Sequence, residues 1–195
     1  MACKRKNAVL KVLPVDDSGH LLVDKLDDLI SNKTKILSVT QISNVLGLVN
    51  PIKEIVKKCH SRGVPVAVDG AQGVVHSKVD VRDLDCDFYA FSGHKMYAAT
   101  GTGVLYGKKK YLDMMPPYMG GGEMVGTVSF EETSYAPLPM KFEAGTQNFA
   151  SIPTLIPAID FINSLSDNNL YSLELDSVRD YLLEYFLSDS RFHLF

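Results

Sequence analysis

"VPVAVDGAQG" (residues 64–73) runs through an unbroken apolar stretch and then turns abruptly at Asp69 into small and polar residues. A half-exposed strand would alternate apolar and polar positions; a continuous apolar run bounded by turn residues fits a strand buried on both faces, as in a parallel sheet. The same pattern recurs in "FYAFSGHK" (residues 88–95), which ends on Lys95. Two buried strands thus each deliver a charged side chain to a loop rich in small residues.

Outward from this pair, strands and helices take turns. "KILSVT" (residues 35–40) is a short apolar strand, and "QISNVLGLVN" (residues 41–50) leads into Pro51, a favourable first helical residue. Ile52, Ile55, Val56 and Cys59 recur at helical spacing and define one buried face, ended by Gly63. Upstream, "AVLKVLPV" (residues 8–15) reads as β-rich, and residues 23–30 as a helix with an acidic start. "GTGVLYG" (residues 101–107) follows Lys95 too closely for a helical crossover and is expected to run antiparallel.

This alternation predicts an α/β three-layer sandwich: a mostly parallel sheet with one antiparallel strand and helices on both faces. Beyond Tyr111, "MPPYMGGGEMVG" (residues 115–126) and "APLPMKFEAGTQN" (residues 136–148) read as site-forming or interface loops. Helices are expected at residues 153–164 and 171–187, and the closing "RFHLF" (residues 191–195) resembles the opening of another strand.

Composition narrows the function classes. The formal charge is -3, with Lys and Arg spread along the chain apart from Lys4–Lys6 and Lys108–Lys110, which argues against nucleic acid as a partner. No apolar run approaches the ~20 residues of a membrane helix, and residues 1–10 lack the apolar core of a signal peptide, so a cytoplasmic chain is expected. Three cysteines, an odd number without a CxxC pair, argue against a disulfide framework or a structural zinc site. The five histidines are scattered, none paired at the i, i+4 spacing, and no metal is expected.

In open α/β sheets ligands bind beyond the carboxyl ends of the strands. Asn44, Asp69 with Gln72, and the run Ser92 to Lys95 fall there. A lysine in such a crevice, its pKa lowered by burial or a neighbouring cation such as protonated His94, can condense with a carbonyl. Pyridoxal 5'-phosphate makes the matching demand: a carboxylate beside its ring nitrogen keeps that nitrogen protonated and the ring an electron sink. Asp69 meets it, and Ser92 and His94 offer donors to the phosphate. Each residue has a plainer reading too, Lys95 as a solvated surface charge and Asp69 as a helix or turn cap.

The ordered set "TQISNVLGLVNPIKEI" (residues 40–55), the run from "AVDGAQ" to "GVLYG" (residues 67–107), "GGGEMV" (residues 120–125) and "FEAGTQN" (residues 142–148) is more specific. It resembles the class V aminotransferases, pyridoxal-phosphate enzymes of fold type I, and within them the cysteine desulfurases also called selenocysteine lyases.

The resemblance implies that Lys95 binds the cofactor covalently and later moves the substrate's Cα proton. It likewise implies that Asp69 partners the ring nitrogen, Gln72 the ring hydroxyl, and Ser92 and His94 the phosphate. Asn44 is implied close to the substrate carboxylate, and Thr146 as a phosphate contact of a partner subunit in a homodimer. The implied reaction takes L-cysteine to L-alanine and leaves sulfur as a persulfide, passed to an acceptor protein for iron-sulfur cluster assembly. Gln41, Ala98, Ala99, Lys141 and Gln147 depart from the common pattern and bear on substrate preference.

The family's persulfide cysteine and carboxylate-binding arginine come from after the matched segment, and its ring-stacking histidine and phosphate loop from before it. The chain is therefore expected to be a fragment and a poor catalyst alone. Residues 1–165 would form the central part of the cofactor domain, and residues 166–195 a helix leading towards an incomplete small domain. A sister class V activity, such as an aminotransferase, epimerase or kynureninase-like lyase, and a non-catalytic interaction module of the same fold are the alternatives.

Overall fold

Strands β1 (Leu37–Thr40), β2 (Val66–Asp69), β3 (Phe88–Ser92) and β4 (Gly103–Gly107) lie side by side in chain order, the first three parallel and the fourth antiparallel. The computed structural model describes residues 2–167 and 170–192. Thr40, Asp69, Ala90 and Leu105 are register partners in one row across the sheet, and Val39, Val68, Tyr89 and Tyr106 form the next. Because strand side chains alternate, the two rows face opposite sides.

The Val68–Tyr89 side is the covered one. Helix α3 (Ile52–His60) lays Ile52, Ile55, Val56 and Cys59 into a cluster with Val66, Val68 and Tyr89, as the helical spacing of those residues predicts. Burial of each aliphatic side chain contributes about 1.5–3 kcal/mol. Leu26 of helix α2 (Leu26–Leu29), which follows the one-turn α1 (Ala2–Arg5) in the chain, and the subsequent Ile30 close the cluster. The crossover from β2 to β3 contains two one-turn helices, α4 (Gly73–His76) and α5 (Val81–Leu84). Asp80 caps α5 by accepting the N–H groups of Arg82 and Asp83. On the other side of the sheet, the Tyr111 ring of helix α6 (Lys109–Met114) lies 5.5 Å from the Phe88 ring.

Helices α7 (Leu155–Asp167) and α8 (Leu170–Leu187) fall where the C-terminal pair was expected. Three expectations need correction or limits. Residues 8–15 form no strand; Val15 alone makes an isolated bridge, to Leu21, and Val9 is 88% exposed. High β-propensity gives no strand without a partner to pair with. Between the two segments read as loops stands an unexpected hairpin of β5 (Val125–Val128), whose first two residues fall in the earlier segment, and β6 (Thr133–Tyr135). Its strands are exposed on both faces, so the alternation that marks a half-buried strand is missing. Of the strand expected at residues 191–195, Arg191 and Phe192 are not extended in a sheet, and residues 193–195 lie outside the described residues.

Candidate active site

Three loops leave the carboxyl ends of β1, β2 and β3. After β1, an Ile42–Val49 bridge folds the chain back on itself, and the Ser43 hydroxyl accepts the N–H groups of Val45 and Leu46. The Asn50 amide donates to the Thr40 carbonyl at 2.8 Å and fixes the base of the loop. Asn44 is thereby held at a cleft of about 580 Å³, whose wall also includes Ile42, Val49, Gln72 and His76.

After β2, Asp69 Oδ1 accepts the Ala71 N–H at 2.9 Å, closing a tight Asx turn. Its Oδ2 has no partner among the described residues. The cap reading and the cofactor reading of Asp69 are therefore compatible: one oxygen shapes the turn and the other remains available. Gln72 follows immediately before α4, half-buried.

After β3, Gly93–Met96 form a single 3-10 turn that ends at Tyr97, a non-glycine residue at φ 70°. Such a left-handed backbone costs roughly 1–2 kcal/mol and persists here because the turn is held at several points. The Gly93 N–H donates to the Thr102 carbonyl, the Ala99 N–H to Thr154 Oγ1 at 2.9 Å, and the Tyr97 ring meets Phe161 of α7 edge-on at 5.2 Å. Met96 is buried; His94 and Lys95 are exposed. Among the described residues, neither the Lys95 ammonium nor the His94 ring enters a hydrogen bond or ion pair.

Asp69 pairs with Ala90, and Ser92 lies two residues further along the same strand face, so Asp69 and Ser92 share one side of the sheet at adjacent strand ends. Lys95 stands one turn beyond. Asn44 and Gln72 both line the cleft. Thr146 is not delivered by these strands: it is exposed, on the loop between β6 and α7, next to Gly145, whose N–H donates to the Gly122 carbonyl. The clamp formed by Thr154, Tyr97 and Phe161 has no signature in the sequence, since Thr154 and Phe161 lie more than fifty residues from the turn they hold.

Neither internal cysteine suits nucleophilic work. Cys59 is 0% exposed, and burial, with the Asp87 charge, pushes its thiol up to about 11. Burial likewise raises the Cys86 thiol.

The α/β sheet thus presents an aspartate and a lysine at the carboxyl ends of neighbouring parallel strands, where ligands of open α/β sheets bind. The chain belongs to the class V aminotransferase family, whose model matches residues 1–192. It is 50% identical over 175 residues to a cysteine desulfurase of Cronobacter sakazakii, covering 89% of this chain and 43% of that protein. Identity to a cysteine desulfurase of an Enterobacter species is 47% over 193 residues, 97% of this chain and 46% of that protein. The crystal structure of the Escherichia coli cysteine desulfurase CsdA superimposes with a TM-score of 0.78 at 44% identity, over 85% of this chain and 41% of that one. The chain spans less than half the length of these relatives.

Members of this family depend on pyridoxal phosphate, and the residues here fit that group. Asp69 keeps one carboxylate oxygen unpartnered, Lys95 carries an uncommitted ammonium, and the side chains of Ser92 and His94 make no competing hydrogen bond among the described residues. No described helix is long and apolar enough to cross a membrane.

Proposed function

We propose that this chain is the lysine-bearing part of a pyridoxal-phosphate-dependent cysteine desulfurase, which takes L-cysteine to L-alanine and passes sulfur as a persulfide to an acceptor protein for iron-sulfur cluster assembly. The observation that carries the reading is the placement of Asp69 and Lys95 at the ends of adjacent parallel strands. The identity to cysteine desulfurases over most of the chain supports the reaction class.

In this reading residues 1–165 form the central part of the cofactor domain, and residues 166–195 lead towards a second domain. The cofactor, when bound, supplies an electron sink for charge developing at the substrate Cα. Lys95 Nζ would hold the cofactor covalently and would move the proton at the substrate Cα. Asp69, with one oxygen free of the turn, would partner the ring nitrogen, and Gln72 would partner the ring hydroxyl. Ser92 Oγ and the His94 ring would bind the phosphate, Asn44 would orient the substrate carboxylate, and Thr146 would reach the phosphate held by a second copy of the protein.

Burial of Cys59 and Cys86 supports a persulfide thiol supplied from outside this segment. Exposed apolar side chains such as Tyr118, Met119 and Phe130 accord with a homodimer. Three free thiols accord with a reducing, cytoplasmic setting.

Incubating the complete enzyme with pyridoxal phosphate, reducing with borohydride and mapping the peptides tests the site directly: the label is expected on Lys95. Label on other lysines only, or none, overturns the reading. Sulfide released from L-cysteine by the complete enzyme, rather than amino transfer, then separates a desulfurase from its sister activities, and selenide from selenocysteine tests the lyase activity.

A further inference from the structure

Beneath the Asp69–Gln72 turn lies a polar chain, buried at Tyr89 and Gln41, that no part of the reaction above employs. The Tyr89 hydroxyl, on a side chain 2% exposed, donates to Gln41 Oε1 at 2.5 Å. Gln41 Nε2 lies 3.2 Å from Ser77 Oγ, and that hydroxyl donates to the Gly73 carbonyl at 2.8 Å. The Gln41 backbone N–H also donates to the Asp69 carbonyl at 2.9 Å. Gln41 itself is 7% exposed.

The order of donors leaves little freedom. Burial pushes the Tyr89 phenol well above its ordinary range, so it stays a donor. Gln41 must then accept through Oε1, which turns Nε2 towards Ser77, and Ser77 spends its one proton on Gly73. The turn rests directly on this chain. A Cβ at Gly70 would lie 2.0 Å from the Tyr89 ring, and one at Gly73 2.1 Å from Gln41 Oε1, so glycine at both places allows the backbone to settle onto the ring and the amide.

From this geometry we infer that Tyr89, Gln41 and Ser77 are positioning residues, which set the height and orientation of the turn carrying Asp69 and Gln72 and so the fit of a pyridine ring against them. The inference rests on the cofactor reading proposed above. Gln41 stands where the resembled enzymes often have histidine. A neutral imidazole also offers one acceptor and one donor, so Gln41→His can satisfy the same chain, whereas Gln41→Leu cannot.

The test, made in the complete enzyme, uses Tyr89→Phe, which keeps the ring packed under Gly70 and removes only the donor, with Gln41→Leu, Gln41→His and the exposed Ser77→Ala beside it. Pyridoxal phosphate affinity is expected to fall about tenfold in Tyr89→Phe, the equivalent of one lost hydrogen bond to a buried acceptor. The visible absorption of the bound cofactor is expected to shift in Tyr89→Phe and Gln41→Leu and to return to that of the parent in Gln41→His. A smaller change of the same sign is expected for Ser77→Ala. Hydrogen exchange at the Val74 and Ser77 amides, which donate to Gly70 and Gly73, is expected to quicken in Tyr89→Phe without cofactor. Parent-like affinity and spectrum in Tyr89→Phe overturn the inference, whatever happens to its melting temperature. Should the parent itself fail to take the cofactor, the proposed function falls first, and unchanged exchange in Tyr89→Phe then removes the positioning role as well.

Discussion

His60, in the last turn of α3, lies with Nε2 2.7 Å from Oδ2 of the fully buried Asp87, tying that helix to the start of β3 at the end of the sheet away from the lysine. Asp87 Oδ2 also accepts the Val66 N–H at 2.7 Å, and its Oδ1 faces Lys108 Nζ at 3.2 Å, an ion pair without hydrogen-bond alignment. Helix, two parallel strands and the segment after β4 thus converge on one carboxylate.

Replacement of Asp87 by Asn is expected to destabilise the chain by about 1–3 kcal/mol, because it disturbs the buried acceptor shared by the His60 ring and the Val66 N–H, while exposed Asp85 still pairs with Lys108. Burial acts to raise the Asp87 pKa, but His60, the Val66 N–H and Lys108 outweigh it and lower it. A depressed carboxyl contributes stability above its unfolded value of about 3.9 and loses it as pH falls through the folded value. Lys108 is opposite in sign: burial acts to lower its pKa, Asp85 and Asp87 raise it, and its contribution is lost only as pH rises through the folded value. Melting temperatures from pH 7 down to pH 2 are expected to fall less steeply in Asp87→Asn than in the parent. Parallel curves would remove Asp87 from the account.

Lys95→Ala is expected to abolish the borohydride-stable pyridoxyl label while changing stability by less than about 0.5 kcal/mol, as an exposed side chain without partners should. Peptide mapping and a denaturant titration read the two effects separately.

Asp69→Asn keeps an oxygen for the Ala71 N–H and loses only the charge. Cofactor affinity is expected to drop by about tenfold or more with the turn intact, while Asp69→Ala should also lose about 1 kcal/mol of stability through the missing cap. Equal cofactor affinity in Asp69→Asn and the parent would remove the ring-nitrogen role.

Gly70→Ala and Gly73→Ala are each expected to cost about 2–3 kcal/mol, since the added methyl meets a buried ring in one and a buried amide in the other. Gly120→Ala, with nothing within 4 Å of the added carbon, serves as the neutral control. Thermal melts of the three variants decide the matter.

Thr154→Val removes the acceptor for the Ala99 N–H and is expected to loosen the lysine turn, at a cost of about 1 kcal/mol. Faster hydrogen exchange confined to the Ala98 and Ala99 amides would mark the effect as local.

Much of the fold was legible because it rests on periodicity. The apolar runs ending at Asp69 and Lys95 gave two parallel strands, the i, i+3, i+4, i+7 set gave α3, and the short separation after Lys95 gave the antiparallel β4. Residues 8–15 misled for the converse reason: propensity is local, whereas a strand exists only where another strand offers hydrogen bonds. The hairpin of β5 and β6 escaped because neither of its faces is buried.

The sequence by itself determined which residue types stand at the strand ends and in what order, since short-range spacing and the turn preferences of glycine are written locally. Tertiary structure alone decided what supports them: Tyr89 and Gln41 pressed under the Asp69 turn, Thr154 and Phe161 bracing the lysine turn, and Asp87 closing the far end with His60 and Lys108. Those contacts join residues tens of positions apart, and their energies depend on burial and distance, which come into being only when the chain has folded.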